Sequence, residues 1–124
     1  MERFDNKVAP VTGAARGLGR VTALAFAREG AKVSLADIDE AGGSETLAMI
    51  RAAGGEGVFI RADMRIEREV EAIVAQTVSA FGRLDCAANN AGVVRFQPIV
   101  GETAEGFDFH IDINLRGVFF LHEA

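Results

Sequence analysis

The spacing of apolar positions changes several times along the chain, and the changes mark alternating strands and helices. Residues 7–12 form a short β-type run that ends in a glycine cluster. Residues 17–29 then take helical spacing, with Leu18, Val21, Leu24 and Ala25 on one face and Gly30 as a stop. A second strand is expected over 31–36 (AKVSLA), ending at Asp37. A helix over 40–53 follows, with Leu47 and Ile50 inward and Gly54-Gly55 closing it. Residues 57–61 give a third strand, ending at Asp63. The stripe Val70, Ile73, Val74, Thr77, Val78 and Phe81 predicts a helix over 67–81, stopped by Gly82. Residues 84–88 read as a fourth strand leading into Asn89-Asn90-Ala91-Gly92. From residue 103 onward the pattern is helical, with Phe107, Ile111, Leu115 and Val118 on one side. Thr103 and Gly106 lack the acidic partner of a capping box, so no such box marks the start of that helix.

Strict alternation of strand and helix implies parallel strands joined by crossover helices. Right-handed crossovers leave few topologies, and the expected fold is α/β: a partial doubly wound parallel sheet of Rossmann type, ordered 3-2-1-4. The C-terminal strands and helices of a full sheet are lacking, so the fourth strand is expected as an open edge. The last residues, Val118-Phe119-Phe120-Leu121, form an apolar patch that would ordinarily pack against something. Pro10 sits inside the first strand, where its missing N–H should leave a ladder carbonyl without a donor and weaken that strand.

Composition narrows the function classes. The 124 residues suit one domain with a real core. A net charge of −5, with arginines scattered rather than clustered, argues against a nucleic-acid partner. There is no apolar run long enough to span a bilayer and no signal-peptide core at the start, so no membrane partner and a cytoplasmic setting are expected. Cys86 is the only cysteine and reads as a small core residue; His110 and His122 read as surface or interface positions, and no metal site is expected. Tyrosine and tryptophan are absent, and the only lysines are Lys7 and Lys32. A mechanism that needs a phenol is therefore closed to this chain acting alone.

The first strand runs into Thr12-Gly13-Ala14-Ala15-Arg16-Gly17-Leu18-Gly19. Glycines there let backbone approach a pyrophosphate, and a helix starting near Gly17 aims its free N–H groups and positive dipole end at it. A flexible turn would give the same letters, but a strand before and a helix after favour the phosphate site. Asp37, at the end of the second strand, lies near the distance at which an acid meets the adenosine ribose. Its carboxylate would accept from the ribose hydroxyls and repel a 2′-phosphate. Ile38 supplies no basic clamp, while Arg16 would attract a phosphate. The balance expects NAD as cofactor in preference to NADP. A surface aspartate capping a turn is the plainer alternative.

Thr12 to Gly19, in the pattern Thr-Gly-x-x-x-Gly-x-Gly, resembles the glycine motif of the short-chain dehydrogenase/reductase family. Asn89-Asn90-Ala91-Gly92 is similar to that family's second signature, Asp63 to its adenine-contacting acid, and residues 113–119 to the helix carrying its catalytic asparagine. The motifs run in order over essentially the whole chain. The resemblance implies that Gly13, Arg16, Gly17, Leu18 and Gly19 surround the pyrophosphate and that Asp63 and Met64 lie near the adenine. Asn89, Ala91 and Gly92 would flank the ribose and nicotinamide. In that family a serine, a Tyr-x-x-x-Lys pair and the asparagine handle proton exchange while hydride moves between nicotinamide and substrate. Only Asn114 has a counterpart here; an asparagine bonding to its own helix is the alternative for it.

Three readings follow. The chain is the front portion of an NAD-dependent alcohol or ketone oxidoreductase, or a catalytically inactive nucleotide-binding fragment, or an NAD-sensing interaction module. The resemblance also implies a homo-oligomer through the C-terminal helix.

Overall fold

The structure, a computed structural model, describes residues 3–124. Three parallel strands, β1 (Val8–Thr12), β2 (Lys32–Asp37) and β3 (Glu56–Arg61), alternate with helices α1 (Gly17–Arg28), α2 (Glu40–Ala52) and α3 (Glu67–Phe81). They form a sheet in the order β1-β2-β3, with Val8 opposite Lys32 and Lys32 opposite Glu56. Every residue of β1 is buried, as are Val33 to Ala36 of β2. A strand covered on both faces needs a near-continuous apolar run, which VAPV supplies and VSLA supplies but for Ser34, whose buried hydroxyl is 2.8 Å from Thr77 Oγ1.

The two faces carry separate apolar clusters. On one, Ala14, Ala23, Leu35 and Ile50 pack with Leu24, Leu47 and Phe59. On the other, Ile60, Met64, Val70, Ile73 and Leu121 pack with Val74, Ile113 and Phe120. The α3 stripe buries Val70, Ile73 and Thr77 as its spacing predicts, and Gly82 stops the helix at φ 80°. Val78, at the margin of that stripe, stays exposed.

Helix α1 departs from expectation. Leu18, Val21 and Ala25 face outward, while Gly19 and Ala23 face the sheet. The reason is distance. A Cβ on Gly19 would run into the Gly13 carbonyl, so small residues let this helix sit close on β1 and the larger apolar side chains turn away.

The fourth strand is also reduced. Residues 85–88 lie beside β1 on the edge away from β2, but only one parallel bridge forms, Val11 with Ala88. Rungs survive from Asp85 N–H to Val8 O (2.9 Å), from Ala88 N–H to Pro10 O (2.9 Å) and from Thr12 N–H to Ala88 O (3.1 Å). The N–H of residue 10 would close the rung between these, and proline has none. At the near end the Val8 N–H goes to the Asp85 carboxylate (2.8 Å) instead of a backbone carbonyl. Pro10 therefore leaves β1 buried and fully paired with β2, and the lost donor falls on its other neighbour, the segment 85–88.

The C-terminal helix is broken into α4 (Ala104–Ile111), a π-turn (Asp112–Arg116) and α5 (Gly117–Glu123), preceded by a 3-10 turn (Ile99–Gly101). Thr103 caps α4 by accepting from the Gly106 N–H at 3.0 Å. The wider turn shifts the phase of the apolar positions. Of the residues expected on one side, Phe107 and Leu115 are exposed while Ile111 and Val118 are half-buried, and Gly117 and Leu121 are buried. Among the described residues, no helix is long and apolar enough to cross a membrane.

Candidate dinucleotide site

A cleft of about 340 Å³ runs across the C-terminal ends of the three strands. At the end of β1 the chain turns at Gly13 (φ 68°), whose N–H donates to Ala36 O at 2.8 Å, and reaches α1 through Gly17 (φ 59°). The left-handed backbone at both positions favours glycine. No side chain caps the first turn of α1, and that turn holds no acid. Its N–H groups and positive dipole end are thus available to an anion.

Asp37, at the end of β2, is held from both sides: its carboxylate accepts from the Ala15 N–H (3.0 Å) and the Asp39 N–H (2.9 Å). The glycine turn and the β2 acid are thereby fixed relative to each other. Arg20 secures the same turn from beneath. Its guanidinium donates to Ala15 O (2.6 Å) and to Thr46 Oγ1 (2.9 Å), and the buried Thr46 hydroxyl donates to Ala14 O (2.8 Å).

At the end of β3, Asp63 accepts from the Arg65 N–H (2.9 Å) and Nε (3.0 Å) on one oxygen and from the Arg65 guanidinium (2.8 Å) on the other. These bonds hold the Asp63 carboxyl below the usual carboxylate range despite its burial. Beyond β1, Thr12 is the anchor. Its buried hydroxyl accepts from the Asn90 N–H (3.1 Å) and the Ala91 N–H (3.0 Å), so the segment after residue 88 is tied to the glycine turn.

Of the residues expected around a cofactor, Gly13, Arg16, Asp37, Ile38, Asp63, Met64, Ala91 and Gly92 line this cleft. Gly17 and Leu18 are exposed on the first turn of α1, and Gly19 is buried beneath Gly13 and Asn90. Asn89 is placed elsewhere: it borders a different cavity, with Pro10, Leu84 and Leu121 on the open edge of β1. Asn90 takes the cleft position, its amide 3.3 Å from Gly13 O. Neighbours in an extended segment point to opposite sides, and only the strand's phase, not the letters Asn-Asn, decides between them. Arg65, Phe109 and Ile113 also line the cleft. Of these, Arg65 had a visible signal: an aspartate two residues earlier, at Asx-turn spacing.

Asn114 bonds Val93 rather than its own helix. Its Oδ1 accepts from the Val93 N–H (2.8 Å) and its Nδ2 donates to Val93 O (2.9 Å). Gly92 lies against it: a Cβ there would stand 3.3 Å from Asn114 Oδ1. His110 is half-buried rather than on the surface, with Nε2 accepting from the Arg95 N–H (3.0 Å) and Nδ1 against Gly106 O (2.7 Å). Burial pushes the Cys86 thiol up, away from reactivity. Among the described residues no three His, Cys, Asp or Glu side chains come together as metal ligands.

The sequence profile of the short chain dehydrogenases matches residues 7–124. This chain belongs to that family. An uncharacterized oxidoreductase of Thermotoga maritima is 43% identical over 118 residues, covering 95% of this chain and 46% of the relative. An L-fucose dehydrogenase of Oryctolagus cuniculus is 45% identical over 120 residues, covering 96% and 41%. A galactitol 2-dehydrogenase of Agrobacterium fabrum is 41% identical over 122 residues, covering 98% and 46%. The chain thus spans somewhat less than half the length of these family members and corresponds to a short-chain dehydrogenase's N-terminal portion. Family membership implies a nicotinamide dinucleotide as cofactor, and the cleft suits one: a glycine turn, an uncapped helix start and a strand-end acid stand in line across it.

Proposed function

We propose that this chain is the NAD-binding part of a dehydrogenase that, as a whole protein, moves hydride between NAD and an alcohol or ketone. The observation that carries the reading is the order of groups along the cleft. The turn at Gly13 and the free start of α1 come first, then Asp37 at the end of β2, then Asp63 and Met64 after β3. A pyrophosphate, a ribose and a base need these partners in this order.

NAD over NADP rests on Asp37. Its carboxylate is already oriented by two backbone N–H groups and retains lone pairs for ribose hydroxyls, while a 2′-phosphate beside it would be repelled. Ile38 offers that phosphate no donor from its side chain; Arg16, on the same cleft, opposes the preference only in part. When bound, NAD would supply the hydride acceptor. The chain's own residues bind and orient it: Gly13, Gly17 to Gly19 and Arg16 at the phosphates, Ala91 and Gly92 toward the nicotinamide, with Asn90 in the place expected for Asn89. Asn114 braces the Gly92–Val93 segment and, in the whole protein, serves the proton relay.

The absence of tyrosine favours a second reading for the chain by itself, a nucleotide-binding unit without catalysis. Leu115 and Phe119, one turn apart and exposed, support association of copies through the C-terminal helix.

Titration calorimetry of the 124-residue chain tests the cofactor assignment. NAD should bind about tenfold more tightly than NADP, and Asp37→Asn should shrink that ratio. An equal or inverted ratio in the wild type would overturn the NAD preference. Binding of neither would overturn the dinucleotide reading itself.

A further inference from the structure

The groups at the end of β3 form a more elaborate arrangement than a single acid. The cleft crosses the strand ends in the order β1, β2, β3, so a base attached to a ribose at Asp37 comes over residues 62–65. There Asp63, only 8% exposed, receives three N–H groups from Arg65 alone. An ionised carboxylate has about four acceptor positions, so roughly one remains. The fork geometry also removes the freedom of the carboxylate to turn, because two parallel bonds to one guanidinium fix its plane.

The guanidinium is itself backed. Arg65 lies 5.8 Å from the Phe109 ring centroid, and Arg95 stacks on the same ring at 3.7 Å. Arg65 and Phe109 also border a second hollow of about 610 Å³, so together they form the partition that ends the cleft.

We infer that Arg65 is the positioning residue that makes this cleft select a base bearing an exocyclic amine, adenine rather than hypoxanthine. The inference rests on the dinucleotide reading above and adds the residue that sets base choice. With its plane fixed and one acceptor position left, Asp63 accepts from an amine donor. It meets the 6-oxo group of hypoxanthine as acceptor against acceptor. A freely turning carboxylate could swing away from that clash or toward the N1–H of hypoxanthine, and selectivity would fall.

The test uses the 124-residue chain titrated with NAD and with nicotinamide hypoxanthine dinucleotide. The wild type should prefer NAD by about tenfold, the worth of one charge-assisted hydrogen bond. Arg65→Met should bring the ratio below about threefold, chiefly by weakening NAD. Arg65→Lys should behave like Met, because an ammonium cannot hold both oxygens in a plane. If Arg65 only supports the loop, both dinucleotides would weaken together at an unchanged ratio, and the inference falls. It falls equally if the wild type binds both dinucleotides alike, a result that leaves the dinucleotide reading standing. Binding of neither ligand by the wild type overturns that reading and this inference with it.

Discussion

Strand β1 has two edges, and they are built differently. Toward β2 it runs in parallel register over all five of its residues, from Val8 with Lys32 to Thr12 with Ala36. Toward residues 85–88 it keeps one bridge, with a carboxylate taking the place of a carbonyl at one end and a proline omitting the central donor. Burial follows the same division. Val33 to Ala36, on the first side, are buried, whereas Arg83, Asp85, Ala87 and Asn89 on the second are exposed. One strand can anchor a close-packed sheet and still hold its other neighbour loosely, because its N–H groups alternate between the two edges. A single missing donor is felt on one edge only.

The largest effect should come from disturbing the point where both edges meet the glycine turn. Gly19→Ala drives a Cβ into the Gly13 carbonyl, a backbone group that cannot rotate away, and should cost about 3 kcal/mol with loss of nucleotide binding. A denaturant midpoint close to wild type would mean that α1 can ride up off the sheet. Thr12→Val should cost about 2 kcal/mol, since the Asn90 and Ala91 N–H groups lose their shared acceptor. If the hydroxyl joins the loose edge to the tight one, amide exchange should quicken at 88–93 and stay slow in β2.

A smaller change, of opposite sign, tests the comparison directly. Pro10→Val supplies the missing N–H opposite the Cys86 carbonyl, which no backbone donor reaches among the described residues. It should stabilise the chain by about 1 kcal/mol and slow exchange at 85–88. An unchanged melting temperature would show that the proline is not what keeps this edge loose.

The smallest effect is expected from acid. Arg65 holds the Asp63 carboxyl low, and Arg83 does the same for Asp85, on opposite sides of β1. Each carboxylate binds protons more readily unfolded than folded, so its stabilisation is complete above about pH 5 and fades as pH falls through the unfolded and then the lowered folded values. Melting temperature should be flat from neutral pH down to about 5 and decline below it. Arg65→Met should start lower and decline less; equal slopes would remove Asp63 from the account.

Where periodicity and burial agree, the sequence was legible. The α3 stripe, its Gly82 stop and the alternating order needed only side-chain spacing. The sheet-facing side of α1 did not show, because Gly19 and Ala23 are buried through their smallness while the moment of the helix is carried by exposed Leu18 and Val21. The phase of the last helix was hidden by the π-turn, which no residue between Asp112 and Arg116 announces. At the site, the glycine turn and Asp37 could be read from local spacing. Asn90 could not be told from Asn89, since that choice depends on a strand the sequence itself interrupts at Pro10. Arg65 was legible in part: its partner Asp63 lies two residues earlier, whereas Phe109, which backs its guanidinium, is distant in the chain.

The pairing of Asn114 with Val93 also limits what chemistry the chain can withstand over time. A side-chain amide that takes a hydrogen bond from the N–H of one residue and gives one to the C=O of the same residue imitates a peptide unit of a neighbouring strand. Few side chains can stand in for it. Spontaneous deamidation would turn the Nδ2 donor into a second acceptor facing the Val93 carbonyl, exchanging an attraction for a repulsion. A preparation that ages by this route would loosen beside Gly92 while keeping its sheet, a slow chemical clock set by one nitrogen atom.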